Sequence, residues 1–544
     1  MKTDVLIVGA GPTGLMLANQ LVRRGVKVTI VDRNPGPSVQ SKALGVQART
    51  LEIYAYLGIA EQAVTLGRRA SGASIWIKGR RAARVPLGDI GADMSPYPYL
   101  LILGQDENEK LLGEALRAQG VSVLWNTRLV DLVHLPDGVR AKLDQENETT
   151  IEITARWVAG CDGAHSTVRS ACNIAFTGAP YQHVFYVADT RATGSMAPGE
   201  LNVYLWQGGF HLFFPMRGND HWRVVGIVPA AQRSRDQLVF GDIAPFIRTE
   251  VNAADNVAGL AFQSCTWFST YHVHHRRAER FRDRRCFLLG DAAHIHSPVG
   301  AQGMNTGLQD AYNLAWKLAL VVTGQADEAL LDSYETERIP VADRLLRTTD
   351  RAFTFLISPH WLARFFRMQV FQKVIAFAMR YARTRMLAFR TISQIGIRYA
   401  NSPLSRMLAH IPKGAPAAGD RFPWLHLKFS SAGPAEDLFR KLDDTRFTLL
   451  LFGQALPGAG LPDGSSRLMS AYSIPDDPTN DRALAAARIL KPSFYLLRPD
   501  GHIGLAGSAL DGTALSSYFN DRVKIRTGST GRDHWNEMAP NLRQ

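Results

Sequence analysis

Residues 4–14 read Asp-Val-Leu-Ile-Val-Gly-Ala-Gly-Pro-Thr-Gly. An apolar run that turns at once into glycine reads as a strand buried on both faces. Residues 13–24 then read as a helix and residues 26–31, Val-Lys-Val-Thr-Ile-Val, as a second strand, completing a βαβ unit. The spacing Gly9-x-Gly11-x-x-Gly14, with Pro12 and Thr13 inside it and Asp32-Arg33 closing the second strand, has a physical purpose. Gly9 permits a tight turn, Gly11 lets a pyrophosphate approach the backbone, and Gly14 lets helix and strand pack closely. The helix N-terminus offers N–H groups and positive potential, and Asp32 can accept ribose hydroxyl bonds. This motif predicts a bound dinucleotide and does not choose between FAD and NAD.

A second constellation makes the choice. Residues 285–290 read as a buried strand that ends at Gly290-Asp291, where a carboxylate can accept bonds from ribityl hydroxyls. A loop through Pro298 and Gly300 then enters a helix at Gly303-Met304-Asn305. The free N–H groups of that helix start suit the negative charge of a reduced flavin. A dehydrogenase that binds only NAD has no use for this second cradle, so the pair predicts FAD. A third stretch, Cys161-Asp162-Gly163-Ala164-His165-Ser166-Thr167-Val168-Arg169, follows a strand and opens a helix. There Asp162 and Arg169 can pair or meet phosphates, although DG followed by a capping serine is also common helix-start chemistry.

These motifs, in this order, resemble the class A flavoprotein aromatic hydroxylases, the para-hydroxybenzoate hydroxylase and phenol hydroxylase group. Gly9, Gly11 and Gly14 look like that family's FAD fingerprint, Asp162-Gly163 like its DG motif, and Gly290-Asp291 like its GD motif. Gln105 resembles the helix-start glutamine that touches FAD, and Arg49 the arginine of an Arg-Thr-Leu-Glu helix near the flavin. Tyr334–Pro340 also matches a family habit. The resemblance covers roughly residues 4–345. Lys42 stands where many relatives carry an arginine, and a lysine lacks the guanidinium fork. Leu44 occupies the place of the phenol hydroxylases' aspartate base. The resemblance implies that NAD(P)H, binding transiently, reduces FAD. O₂ then yields a C4a-hydroperoxide that hydroxylates a small aromatic substrate. Other flavin chemistry on the same fold (a reductase or halogenase) and a non-catalytic flavin-binding protein are the alternatives.

The expected fold class is α/β, α+β overall. A Rossmann-type FAD-binding domain (1–75, 100–180, 281–345) is interleaved with an antiparallel-sheet substrate domain (76–99, 181–280). Short segments rich in aromatic and β-branched residues, separated by turn residues, mark that sheet. On it Tyr204, His211 and Tyr186 are candidates for a substrate-deprotonating base, each set against an ordinary packing role. A helical connector (346–412), a thioredoxin-like domain (413–525) and a polar tail (526–544) follow. The thioredoxin-like resemblance rests on Leu497–Ile503, and the segment contains no cysteine, which excludes thiol redox chemistry there.

Composition narrows the rest. The 544 residues, 46% hydrophobic and 20% charged, are those of a folded globular chain. Four cysteines without a CxxC pair argue against a disulfide framework or thiolate zinc site and for a reducing, cytoplasmic setting. No metal is expected. The net charge is +13, and no acid occurs between Asp350 and Asp420, where Arg364, Arg367, Lys373, Arg380, Arg383, Arg385, Arg390 and Arg398 lie. No nucleic-acid-binding signature accompanies them. Helical spacing puts Gln369, Lys373, Ala376, Arg380 and Arg383 on one face and Phe371, Val374, Ile375 and Phe377 on another. That reading favours a solvated basic face over the core, with docking on an anionic membrane as the sharper alternative. The expected partners are a small aromatic substrate and O₂, and a homodimer is compatible with the fold.

Overall fold

The βαβ unit forms around its glycine loop. Strand Lys2–Val8 leads through it into helix Pro12–Val22, and strand Val28–Val31 pairs parallel to the first. In the computed structural model the described residues are 1–39, 43–88, 90–145, 149–233, 237–252, 259–296, 301–358, 360–409, 412, 414–456 and 465–526. Lys42, Pro298 and nearly all of the expected polar tail lie outside them.

The packing groups into two compact units. One comprises Met1–Asn19, Val28–Tyr312 and Arg338–Ile397; the other comprises Gln20–Lys27, Asn313–Glu337 and Arg398–Gln544. The first unit holds a seven-stranded sheet, and strand Lys2–Val8 lies between Val28–Val31 and Thr150–Gly160. Strand Cys286–Leu288 pairs parallel to Thr150–Gly160, so a segment far along the chain returns beside the first strand. The core residues Val5, Leu6, Ile7, Ile30, Trp157 and Phe287 are fully buried, as the unbroken apolar runs require.

The same unit holds an eight-stranded, mostly antiparallel sheet built from Gly72–Ile77, Arg80–Pro86, Phe176–Thr193, Glu200–Trp206, Gly209–Pro215, His221–Ile227, Ala261–Ala278 and His294–Ile295. A three-stranded sheet joins Gly45–Val46, Leu100–Ile102 and Arg68–Ala70.

Alternation along Glu200–Trp206 and Gly209–Pro215 sends their side chains to opposite faces. Tyr204 and Phe213 join Tyr186, Trp76 and Trp222 in a core covered by Ile243 and Ile247 of helix Phe240–Val251. On the other face Leu205 and Phe210 pack with Phe185, Phe353, Phe371 and Ile375. Further along that face Leu201, Phe214 and Met216 pack on Leu44, Ala70 and Ile102.

Val121–Leu124 contributes a single bridge, Val31 to Leu124, ahead of the hairpin Thr127–Leu135/Gly138–Gln145. The connector departs from expectation in how its faces are used. Residues 360–400 are short helices, Trp361–Phe365, Phe371–Ala378 and Ala382–Ile392, with a π turn at Phe366–Val370. Their basic and apolar residues are not segregated: Val374 and Phe377 are exposed beside Lys373 and Arg380, since Phe371, Ile375 and Ala376 are the ones that meet the sheet.

In the second unit strand Phe447–Phe452 pairs parallel to Met469–Ile474 and antiparallel to Ser493–Leu497, which pairs antiparallel to Ile503–Gly507. The Leu497–Ile503 stretch holds a buried charge cluster. Arg498 donates to Glu337 at 2.6 and 3.0 Å and pairs with Asp500, while Lys317 donates to Glu337 at 2.7 Å. Burial works against the Glu337 carboxylate, but Arg498 and Lys317 overcome it and lower its pKa to about 2.

Candidate flavin site

Each glycine of the first motif meets a different constraint. Gly9 has φ +102°, and a Cβ there would collide with the Cys161 carbonyl. A Cβ at Gly14 would strike the Gly9 carbonyl oxygen. At Gly11 a Cβ would meet nothing within 4 Å, because this glycine faces open space. Asp32 closes the loop: Ala10 N–H donates to Oδ2 at 2.7 Å and Asn34 N–H to Oδ1 at 2.8 Å.

The open space is a cleft lined by Gly9, Gly11, Asp32, Arg33, Gln105, Asp162 and Gly163, which the fold brings together from four separate stretches. Glu109, Trp125, Arg128 and His165 also line it and are missed by motif reading. A sequence signal exists for Glu109, which lies one helical turn after Gln105. Gln105 Nε2 donates to Glu109 at 2.8 Å, Ser38 N–H does the same at 2.8 Å, and burial raises the Glu109 carboxyl. Asp162 Oδ2 accepts the N–H groups of Thr167 and Val168 at 2.6 and 3.2 Å, capping helix Thr167–Ala171. Its Oδ1 is buried without a partner among the described residues, and burial raises this carboxyl too. An orphaned acceptor on a nucleotide-shaped cleft fits a ligand hydroxyl or amide donor.

Arg169 does not pair with Asp162 by a direct bond. It donates to the carbonyls of Ala292 at 2.9 Å and Ala164 at 2.8 Å and lies 3.9 Å over the Phe176 ring, bracing the third motif against the second.

The first and second motifs also interlock. Gly290 has φ +57°, and a Cβ there would come 2.7 Å from Thr13 Oγ1. A Cβ at Gly307 would clash with the same hydroxyl, so Thr13 fills a slot that only glycines leave open. Asp310 fixes this turn. It accepts from Gly290 N–H at 3.0 Å, His294 Nε2 at 2.7 Å and Arg338 Nε at 2.6 Å. Burial pushes the Asp310 carboxyl up, but Arg338 and His294 outweigh it and hold it below the ordinary range. Asp291 is exposed at the head of the turn.

Asn305 is buried and its side chain is spent on protein: it accepts from Gln47 N–H at 2.9 Å and Thr50 at 2.7 Å, and donates to Gly45 and Ala301 at 2.8 and 2.9 Å. It therefore clamps the start of helix Gly303–Val322 to the Gly45–Val46 strand. Met304 accepts at sulfur from Asn108 at 3.3 Å. Arg49 is buried, ion-paired with Glu52 at 2.9 Å, and 5.8 Å from the Tyr312 ring centre. Burial acts against its charge, and Glu52 more than compensates.

Tyr186, Tyr204 and His211 lie together on the sheet, but on the face covered by helix Phe240–Val251. The Tyr186 hydroxyl and His211 Nδ1 are 2.7 Å apart, across Gly226, where a Cβ would abut the tyrosine hydroxyl. Burial lowers the His211 pKa to about 3, raises Tyr204 to about 12 and raises Tyr186 further. At neutral pH the histidine stays neutral and both phenols keep their protons, so none of the three is poised to take a proton. The face toward the flavin loop is instead the one bearing Leu201, Phe214 and Met216, whose neighbours Leu44 and Ile102 flank the Gly45–Val46 strand. Next to Ala70 a cavity of about 600 Å³ opens between Arg69, Tyr97 and Tyr99. The Arg69 guanidinium lies 4.6 Å over the Tyr99 ring.

The four cysteines are free, and the fold brings Cys172 and Cys286 together beside His134. Buried thiols of this kind pack as small apolar groups.

Comparison with known proteins agrees with the geometry. The FAD binding domain family model matches residues 2–349. The chain is 33% identical over 535 residues to 6-methylpretetramide 4-monooxygenase of Streptomyces rimosus, covering 94% of this chain and 92% of that protein. It is 32% identical to pentachlorophenol 4-monooxygenase of Sphingobium chlorophenolicum, covering 82% and 79%. Among solved structures, the OxyS anhydrotetracycline hydroxylase from Streptomyces rimosus superposes with a TM-score of 0.76 at 28% identity, covering 97% of this chain and 100% of that one. The chain belongs to the FAD-binding flavoprotein monooxygenases and is an FAD-dependent aromatic hydroxylase of that family.

Proposed function

We propose that this monooxygenase hydroxylates an apolar phenol of more than one ring, seated against Leu201, Phe214 and Met216. The single observation that carries this reading is the composition of the wall. Leu44, Ala70, Leu100, Ile102, Leu201, Phe214 and Met216 form a cluster without a titratable group, on the sheet face nearest the flavin loop. A cavity of about 600 Å³, within the usual range for ligand pockets, meets this cluster at Ala70 and is otherwise lined by residues such as Glu61, Thr65, Arg69, Tyr97 and Tyr99.

Bound FAD accepts a hydride from NAD(P)H and activates O₂; the protein's part is to hold, orient and keep dry. Gly11 would let the pyrophosphate approach the backbone while Gly9 and Gly14 hold the turn and its helix together, Asp32 would take the ribose, and Gln105, Asp162 and Gly163 complete that wall. The Gly290-Asp291 turn, fixed by Thr13, Asp310 and His294, would hold the ribityl chain. The N–H groups of Gly303, Met304 and Asn305 would stabilise negative charge developing on a bound flavin. Arg49 and Asn305 are positioning residues, since their side chains are spent on protein partners. The apolar wall itself contains no general base; the titratable groups Glu61, Arg69, Tyr97 and Tyr99 line the adjoining cavity. The sheet order of the second unit, Ile503–Gly507, Ser493–Leu497, Phe447–Phe452, Met469–Ile474, supports a thioredoxin-like reading with a packing role.

Steady-state kinetics of Phe214→Ala with one-ring and three-ring phenols tests the wall. Phe214 is half-buried, and truncating it forfeits up to about 1.5–3 kcal/mol of contact with a ring seated on it, so KM for the larger phenol should rise roughly tenfold. An unchanged KM for every substrate would place the ring elsewhere.

A further inference from the structure

Ten of the 17 large apolar side chains exposed among the described residues lie between Trp361 and Ile392. They are Trp361, Leu362, Phe365, Phe366, Val374, Phe377, Tyr381, Met386, Leu387 and Ile392. The same stretch has no acid, and Arg364, Lys373, Arg380, Arg383 and Arg390 are exposed in it. The exposed aromatic residues Phe366, Phe377 and Tyr381 are interspersed in the chain with the exposed cations Lys373 and Arg380. The inward line, Met368, Phe371, Ile375 and Ala376, already packs on the sheet, so these helices are anchored to the fold rather than awaiting it.

We propose that the helices of residues 361–392 dock this enzyme on an anionic lipid bilayer. A solvated basic face would carry cations without the aromatic rings, whereas an interfacial helix needs both: rings to enter the acyl boundary and long cationic stems to reach the headgroups. A second copy of the chain does not fit the patch. A two-fold interface sets the same patch against itself, and here that opposes cation to cation with no acid to relieve it. The branched and thioether side chains Leu362, Val374, Met386 and Leu387 have no stacking partner in a nucleic acid but are suited to lipid. The helices pack on the face of the sheet that carries Leu205 and Phe210, and farther along that same face lies the apolar Leu201–Phe214–Met216 wall. Docking there brings the substrate side of the sheet toward the bilayer, the reservoir of a lipophilic phenol. The docking itself does not depend on which phenol is used.

Vesicle flotation of the flavin-loaded, full-length protein tests this. Vesicles of phosphatidylcholine alone are compared with vesicles containing phosphatidylglycerol. Recovery with the anionic vesicles only, weakened by salt, is expected. Each basic side chain near an anionic surface is worth about fivefold in partition, so K373Q/R380Q/R383Q should lower it roughly a hundredfold. The triple variant W361S/F365S/F377S should also release the protein. Both variants should keep the parent's flavin content and its NAD(P)H oxidation with a water-soluble phenol, which separates loss of docking from failure to fold and from failure of the hydroxylase reading. Equal binding to both vesicles, binding to neither, or a solution dimer that these variants dissociate would overturn the proposal.

Discussion

Replacing Asp310 by asparagine should loosen the flavin turn more than any other single isosteric change. Asp310 is buried and is the shared acceptor of Gly290 N–H, His294 and Arg338. Arg338 is itself fully buried and also donates to the Thr306 carbonyl at 3.2 Å. Removing one charge of such a pair strands the other, at a cost of about 3–5 kcal/mol. At about 2–4 °C per kcal/mol for domains of roughly 150–250 residues, the midpoint should fall by on the order of 10 °C. Flavin fluorescence during a thermal ramp reads both unfolding and release. The pH dependence adds a signature. The folded Asp310 pKa lies below its unfolded value, so its stabilisation is present above about pH 4 and is lost as pH falls through the folded pKa. The parent's midpoint should therefore drop steeply on the acid side, and the D310N profile should be flatter there. A D310N protein that melts within a degree or two of the parent, with full flavin and the same acid limb, would refute the role given to this carboxylate.

The two neighbouring glycines should separate. Gly11→Ala should fold, with an unchanged far-UV spectrum, but take up FAD at least tenfold more weakly, whereas Gly14→Ala should fail to give soluble protein because its Cβ meets backbone. Flavin titration and yield decide it; a G14A protein as stable as the parent would count against the packing argument. Tyr186→Phe should cost about 1–3 kcal/mol by leaving His211 Nδ1 unpaired in the core, yet alter kcat less than threefold. A fall of 10²–10⁴, the range of a lost general base, would restore Tyr186 to the chemistry. Arg498→Met should remove the cation shared by Glu337 and Asp500, leaving Glu337 to Lys317 alone, and lower the stability of the second unit by about 3–5 kcal/mol, visible by calorimetry as an earlier transition.

The cofactor cradles are legible in the sequence because glycine spacing is a local statement about backbone. The turn at Gly9, the contact of Gly14 with Gly9, and the slot for Thr13 left by Gly290 and Gly307 all follow from where a Cβ cannot fit. The substrate wall is less legible. Alternation tells that Tyr204 and Phe213 share a face and that Leu201 and Phe214 share the opposite one, but not which face meets the flavin loop. That is decided by helix Phe240–Val251, which covers the tyrosine face and shows in the sequence only as an amphipathic segment between strands. The polar residues were the attractive candidates for chemistry, and burial spends them on one another. Charge networks are illegible for a related reason. Glu337 and Arg498 stand 161 residues apart, and only the fold makes their motifs one cluster.

The central claim is that the two glycine cradles serve one FAD used to put an oxygen atom on an aromatic ring. Turnover of a multi-ring phenol by the purified flavoprotein under ¹⁸O₂, with NAD(P)H, tests it most directly by mass spectrometry of the product. One ¹⁸O is expected in a new ring hydroxyl, and none from the Gly11→Ala protein stripped of flavin. A product oxygen drawn from water, or NAD(P)H consumed with no oxygenated ring under any substrate, would contradict it.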